Sequence, residues 1–248
     1  MERYLERIGY TGDRRPSLEN LTRLLRCHLE TVPFENLDFW RNPRQLPLHI
    51  DELYDKVVTR NRGGVCCELN HLFCWLLKGL GFQAVTVMAR ILMGPGEGRI
   101  CHACNLVEVD GRRYYCDVGF GGPGPKGLVC IDDPGVQVVY GEAYRITRKG
   151  NLICIEKDWG DRWGVLLELI DVPATQGDLE VILYAATAKP DAHFVHNRAV
   201  NLCQPDGYLA LNGNVFTGRR NGESFRREVP EDQIPELLAK EFGLVIGS

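Results

Sequence analysis

The sequence has no long apolar run; nothing in it approaches the roughly 20 consecutive apolar residues that a membrane helix needs. It has no block of lysine and arginine either. Its 29 Lys and Arg against 33 Asp and Glu leave a net charge of −4, whereas a protein that neutralises phosphates along a duplex is basic or carries a basic face. Neither a membrane nor a nucleic acid is therefore an expected partner. Internal repeats and low-complexity stretches are also missing, which argues against a fibrous or disordered chain. The opening Met1-Glu2-Arg3-Tyr4-Leu5-Glu6-Arg7 is charged throughout and lacks the apolar segment of a secretory signal, so a cytoplasmic location is expected. In that reducing compartment the ten cysteines are expected as thiols. Cysteine as such then carries little information, and position has to discriminate. What remains is an ordinary globular composition, 44% apolar and 25% charged over 248 residues, enough for one large domain or two modest ones.

Residues 1–80 read as mostly helical. A short amphipathic turn covers 4–8, and Ser17 is a cap for a second helix in which Leu18, Leu21, Leu24, Leu25 and Leu29 recur every three to four residues. Pro33 ends it. A short helix is expected at 51–58. The strongest signal is at 66–80, where Leu69, Leu72, Phe73, Leu76, Leu77 and Leu80 form the stripe of a helix packed on a core. After Gly81 the period falls to two, and 83–93, 101–109, 112–118, 136–146 and 152–158 read as strands, with sheet expected to about 185. Pro190, a hairpin at Pro205-Asp206-Gly207, short strands near 208–227 and a terminal helix at 234–242 follow. A helical front, an antiparallel middle and a mixed tail make an α+β fold.

Three polar residues stand out by placement. Cys66 sits in the first turn of the 66–80 helix, after the pair Gly63-Gly64. Unpaired backbone N–H groups and the helix dipole at that end both favour a thiolate. Cys66 also falls on the buried stripe, while Cys67 is turned about 100° away. The plainer reading is one more small core residue. His102 and Asp117 come next. Asp110-Gly111 is a two-residue hairpin signal between alternating runs. That turn sets Val109 opposite Arg112, Leu106 opposite Tyr115, Cys104 opposite Asp117 and His102 opposite Gly119. His102 and Asp117 then share a sheet face as diagonal neighbours, about 7–8 Å apart at most between Cβ atoms; a one-residue slip would separate them. A His–Asp pair beside a helix-capping cysteine has the parts of a Cys-His-Asp site, although a structural His–Asp hydrogen bond uses the same residues.

A zinc module is a rival reading, because Cys101-x-x-Cys104 brackets His102 and Cys116 lies across the hairpin. Against it, 101 and 104 have opposite parity on one strand, and no second Cys-x-x-Cys exists. No metal is expected. A thiol hydrolase or transglutaminase-like enzyme is a second rival, since the same trio can pass an acyl group to water or lysine.

The chain resembles the arylamine N-acetyltransferases. The motifs that carry the resemblance are Tyr4-Leu5-Glu6-Arg7-Ile8-Gly9-Tyr10, Val32-Pro33-Phe34-Glu35-Asn36-Leu37, Arg62-Gly63-Gly64-Val65-Cys66-Cys67-Glu68-Leu69-Asn70, His102 with Asn105-Leu106-Val107, and Asp117-Val118-Gly119-Phe120-Gly121. The resemblance implies a helical domain (1–82), an antiparallel β-barrel (83–185) and a small α/β domain (186–248) around a cysteine-protease-like core. It places the catalytic triad on Cys66, His102 and Asp117. It implies acetyl-CoA or another acyl-CoA as donor, arylamines or arylhydrazines as acceptors, and Phe34 and Phe120 lining a slot for a flat ring. Val65 stands where the family often has a larger residue, at the pocket rim. Gly121, Gly122 and Lys126 are expected to face the donor's phosphates, while a surface turn and core packing are the plainer accounts of these glycines and phenylalanines. Beyond residue 125 the likeness thins. Ala188 and Ala192 stand where the family usually has hydroxyl residues, which leaves open an amide synthase fed by a carrier protein.

Overall fold

The computed structural model describes residues 1–93, 98–189 and 191–245; Pro190 and the last three residues of the 186–248 unit lie outside them. In chain order the elements are helices α1 (Glu2–Arg7) and α2 (Leu18–Thr31), strand β1 (Phe34–Glu35), helices α3 (Ile50–Tyr54) and α4 (Cys66–Gly79), strands β2 (Gln83–Ile91), β3 (Ile100–Val109), β4 (Arg112–Cys116), β5 (Val129–Cys130), β6 (Gln137–Val139), β7 (Glu142–Lys149), β8 (Leu152–Asp158) and β9 (Trp163–Pro173), helices α5 (Gln176–Thr187) and α6 (His193–His196), strands β10 (Ala199–Gln204), β11 (Gly207–Asn212), β12 (Val215–Arg220) and β13 (Glu223–Glu228), and helix α7 (Ile234–Phe242).

Helix α2 starts where the cap predicts. The Ser17 hydroxyl accepts from Asn20 N at 3.2 Å, and Leu21, Leu24, Leu25 and His28 form its buried face. Helix α4 buries Leu69, Leu72, Phe73, Leu76 and Leu77 as one stripe. Helix α3 is shorter than expected and runs into a π-helical turn, Asp55–Thr59, that turns Lys56 inward; such turns recur at functional sites.

Eight antiparallel strands in the order β5-β4-β3-β2-β9-β8-β7-β6 form the larger sheet, which is nearly closed into a barrel. Its inner face holds Val87, Cys104, Leu106, Tyr115, Ile153 and Leu167, among others. The outer-face residues Ala103, Val107, Val109 and Cys116 join the core of α1, α2 and α4. Strands β5 and β6 meet through a side chain: the Gln137 amide accepts from Cys130 N and donates to Cys130 O, both at 2.8 Å. The second sheet runs β1-β10-β11-β12-β13 and packs with α7 on a third core. Asn36 ties it to the helical half, donating to the carbonyls of Phe194 and Asn197 and accepting from Ala199 N.

The hairpin at Asp110-Gly111 forms with φ of 52° and 73°, the conformation of a two-residue turn that follows strand twist. Two expectations are corrected. Residues 136–146 are two strands, because Tyr140 and Gly141 take φ of 50° and 80° and make a second turn of the same kind. The sheet stops at Pro173, and 176–187 is a helix. Thr175 caps it by accepting from Asp178 N, and the Asp178 carboxylate accepts from Thr175 N at 2.8 Å. Leu179, Ile182 and Leu183 of α5 pack into the same core as α4. Among the described residues, no helix is long and apolar enough to cross a membrane.

His28 sets one stability prediction. Its Nε2 lies 3.0 Å from the Tyr4 hydroxyl and its ring packs edge-on against Phe73. Burial, helped by the charge of Arg7, pushes its pKa down to about 3. The unfolded ring titrates near 6.5, so the unfolded chain binds the extra proton between those values and stability falls as pH drops below about 6.5. Urea unfolding at pH 7 and pH 5 should show about 2 kcal/mol more loss for the native chain than for His28→Gln. Equal losses in the two proteins would remove His28 from the account.

Candidate active site

Cys66 is the first residue of α4, and its position is set by close packing beneath it. A Cβ on Gly63 would lie 1.9 Å from the Pro33 carbonyl oxygen, so only glycine permits that approach. The Gly64 carbonyl accepts from Glu35 N at 2.9 Å. Val65 offers no capping oxygen; the Glu68 carboxylate, three residues on, reaches back to accept from Val65 N at 2.9 Å. Glu68 is held in turn by Lys56 Nζ at 2.8 Å, which also lies 2.9 Å from Asp38. Arg62 donates to Glu35 through two nitrogens at 2.9 and 2.7 Å and lies 3.2 Å from Asp38. Burial alone would lower the Lys56 pKa, but the charges of Glu68, Glu35 and Asp38 outweigh it and keep the ammonium charged. Arg62 and Glu68, which flank Cys66 in sequence, are both taken up by this network.

Strands β3 and β4 pair in the expected register, from Val109 opposite Arg112 to Asn105 opposite Cys116. The ladder ends there, short of the expected Cys104–Asp117 and His102–Gly119 pairs, and the chain carries on to Asp117. His102 Nε2 lies 2.6 Å from Asp117 Oδ2. The Tyr115 hydroxyl donates to that same oxygen. Oδ1 accepts from Asn70 Nδ2 at 2.8 Å and from Gly119 N at 2.7 Å. Asn70 also donates to the Ala103 carbonyl and accepts from Val118 N, and Asn105 donates to the Asn70 carbonyl. An ionised carboxylate only accepts, so the Nε2 of His102 carries the proton and Nδ1 is left for the sulfur.

His102 and the backbone N–H of Ala103 both lower the pKa of the Cys66 thiol. Its sulfur is 3.9 Å from that of Cys67. The hydrogen bond with Cys67, against the effect of burial and together with His102, holds the Cys66 thiol well below the usual thiol range. Cys67 is pushed the opposite way by the same contact and by burial. Burial would lower the His102 pKa, but the charge and hydrogen bond of Asp117, with the contact to Cys66, drive it well up. Burial would raise Asp117; His102 and its other donors bring it down instead. The arrangement therefore favours thiolate, imidazolium and carboxylate in a line.

The spacing in the sequence brings these three together. It passes over Asn70 and Tyr115, although each carries a signal: Asn70 is one helical turn beyond Cys66, and Tyr115 shares the parity of Asp117. Gly119 is a further one, since a Cβ there would lie 2.7 Å from the Cys66 Cα.

Two cavities, about 470 and 700 Å³, adjoin at this end of the fold; Asp117 borders the smaller, and Cys66 and His102 border neither. Phe34, Phe120, Gly121 and Gly122 border both. The Phe120 ring stands edge-on to His102 with centroids 5.4 Å apart, and Phe34 meets Phe194 in the same way at 5.8 Å. Gly121 has φ +69°, and a Cβ on it would strike the Phe34 ring. Lys126 borders the smaller cavity, with Nζ 3.4 Å from the Gly207 carbonyl and over the Tyr208 ring. Val65 is buried at the helix cap and is not among the residues bordering either cavity. Ala192 is buried at the start of α6, and Ala188 closes α5. The Cys104 side chain points into the barrel core. Among the described residues no three His, Cys, Asp or Glu side chains are grouped as a metal site.

Comparison with known proteins places this geometry in a family. A family model described as N-acetyltransferase matches residues 17–248. The arylamine N-acetyltransferase of Mycolicibacterium smegmatis is 31% identical over 98% of this chain and 91% of its own. The solved structure of the Salmonella typhimurium arylamine N-acetyltransferase superposes with a TM-score of 0.92 at 26% identity, covering 100% of this chain and 92% of that one. The Mycobacterium marinum arylamine N-acetyltransferase, solved in complex with CoA, gives 0.88 at 29% identity over 98% and 92%. With its family match spanning nearly the whole chain, and the same α+β architecture, this protein is an enzyme that belongs to the arylamine N-acetyltransferase family.

Proposed function

We propose that the protein transfers an acetyl or other short acyl group from acyl-CoA to the nitrogen of arylamines or arylhydrazines, in two steps through an acyl-cysteine. The observation that carries this reading is the buried His102–Asp117 hydrogen bond, with its imidazole acting on a Cys66 thiol at a helix N-terminus. Asp117 fixes the tautomer and orientation of His102, and the imidazolium stabilises the Cys66 thiolate. The thiolate attacks the thioester carbonyl; the bond to the CoA sulfur breaks, and His102 returns the proton to the departing thiol. Acyl-Cys66 is itself a thioester, so little free energy is lost. An amine then attacks, His102 takes its proton, the thiolate departs and an amide is released. Arylamines suit this step because they are mostly unprotonated near neutral pH. The Ala103 N–H, which lowers the Cys66 pKa, and the N–H groups of the first turn of α4 are suited to the developing oxyanion.

In the same reading Phe34 and Phe120 hold the flat ring, and Gly121, Gly122 and Lys126 face the donor's phosphates from the cavity walls. A solved relative in complex with CoA supports the choice of donor. The units 1–82, 83–185 and 186–248 then supply the nucleophile, the His–Asp pair and a cover. A cytoplasmic setting belongs to the same reading.

Intact-mass measurement after mixing with acetyl-CoA should show a gain of one acetyl group mapping to Cys66, discharged by an added arylamine. Label on Cys67, or an adduct lost to water at the same rate with and without amine, would defeat the assignment. His102→Ala should lower turnover on the order of 1,000-fold or more.

The thiolate also sets a pH dependence. An ordinary thiol titrates near 8.5. The Cys66 value is lowered and the His102 value raised, so the ion pair spans neutrality, lost to acid when Cys66 takes a proton and to alkali when His102 gives one up. Alkylation of Cys66 by iodoacetamide should therefore stay level from below pH 7 to pH 8. In His102→Gln the rate should instead climb toward an ordinary thiol profile. A native profile that already climbs with a midpoint near 8.5 would contradict the ion pair.

A further inference from the structure

We propose that Tyr115 is a positioning residue for the acyl transfer: its phenol fixes the Asp117 carboxylate and limits how strongly that carboxylate grips the His102 imidazole. This rests on the roles given above to Cys66, His102 and Asp117.

The hydrogen-bond arithmetic carries the argument. A carboxylate oxygen accepts well from about two donors. On Asp117, Oδ1 is filled by Asn70 and Gly119 N, and Oδ2 is shared between His102 Nε2 and the Tyr115 hydroxyl. Tyr115 is fully buried on the barrel's inner face, beside Leu106 of the paired strand, so the structure brings the phenol and the imidazole to one oxygen atom in a site shielded from bulk water. Two consequences follow. The three donors other than His102 hold the plane of the carboxylate whether or not the imidazole is in place. The phenol also draws charge from the oxygen that His102 uses, so the imidazolium is bound less tightly than by an uncontested carboxylate. His102 has to give a proton to the leaving CoA thiol and take one from the amine. An imidazolium gripped too strongly would be a poor acid in the first step.

The titratable groups around Asp117 are few. Helix α4 presents Cys66 and Cys67, strand β3 His102 and Cys104, strand β4 Tyr115 and Cys116, and strand β7 presents Tyr144 toward Tyr115. Burial pushes Cys67, Cys104, Cys116, Tyr115 and Tyr144 upward. They stay neutral while Cys66 and His102 titrate.

Tyr115→Phe removes the hydroxyl and leaves the ring. The pH profile of kcat/KM for the acyl donor reports the free enzyme's ionisations. In the variant its alkaline limb, where His102 gives up its proton, should move up by about half a pH unit, while the acid limb, crossed with the imidazolium present on both sides, should stay in place. The kcat should fall several-fold while the KM for the amine stays put, and the His102 N–H proton resonance should move downfield. A fluorotyrosine placed at 115, a stronger donor, should narrow the profile instead. A Tyr115→Phe profile that superimposes on the native one, with only a lowered unfolding midpoint, would make Tyr115 a packing residue and overturn the proposal. A native enzyme whose profile is that of an ordinary thiol would overturn the underlying assignment of the three residues, a different and separately readable outcome.

Discussion

A carboxylate out of water is costly unless donors replace its hydration, and Asp117 is where this protein meets that requirement. Its four donors come from a ring on β3, an amide on α4, and a phenol and a backbone N–H from the segment around β4. The interaction therefore does more than orient an imidazole. It joins the helical half to the barrel at the point where the sulfur and the ring have to meet. Asn70 makes the junction tight, because both ends of its amide are used, by Asp117 and Ala103 on one side and Val118 on the other. Holding the His102 ring and holding the two halves together are one set of hydrogen bonds.

The supports of Cys66 follow a different physical logic. Lys56, Arg62, Glu35, Asp38 and Glu68 form a cluster of opposite charges with little access to water. Such pairs add little net stability over apolar packing, since desolvation cancels most of the attraction. What they supply is direction: each oxygen has a donor at a set angle, and one of them is the N–H that begins α4. Gly63 and Gly119 complete the placement by having no side chain where the neighbouring backbone has to pass.

Much of this was legible in the sequence where the signal was local. Asp110-Gly111 carried the hairpin register, and with it the shared face of His102 and Asp117; Ser17 and the leucine stripes carried α2 and α4. The same turn chemistry at Tyr140-Gly141 was hidden by alternation that runs straight through it and by the lack of an Asn or Asp before the glycine. Helix α5 was hidden by Val181-Ile182-Leu183-Tyr184, a strand-like run, although Thr175 and Asp178 form a capping pair. The partners of Glu68 and Arg62 were out of reach for another reason. Lys56 and Asp38 reach them through a π-helical turn and an irregular segment, and no spacing rule connects such positions.

The closure of the barrel by Gln137 has a mechanical side. The other neighbouring strands are joined by backbone pairing, but at this join one amide side chain stands in for the pairing of β5 with β6. Parting that edge costs two hydrogen bonds, both of which water can replace. The adjoining β7 contributes Glu142 to the rim of the smaller cavity, and Lys157 links Glu142 to the Pro123 carbonyl on the opposite rim. The barrel's last join thus hangs on one side chain, and a change at Gln137 would reach the Glu142 rim through the β6–β7 pair.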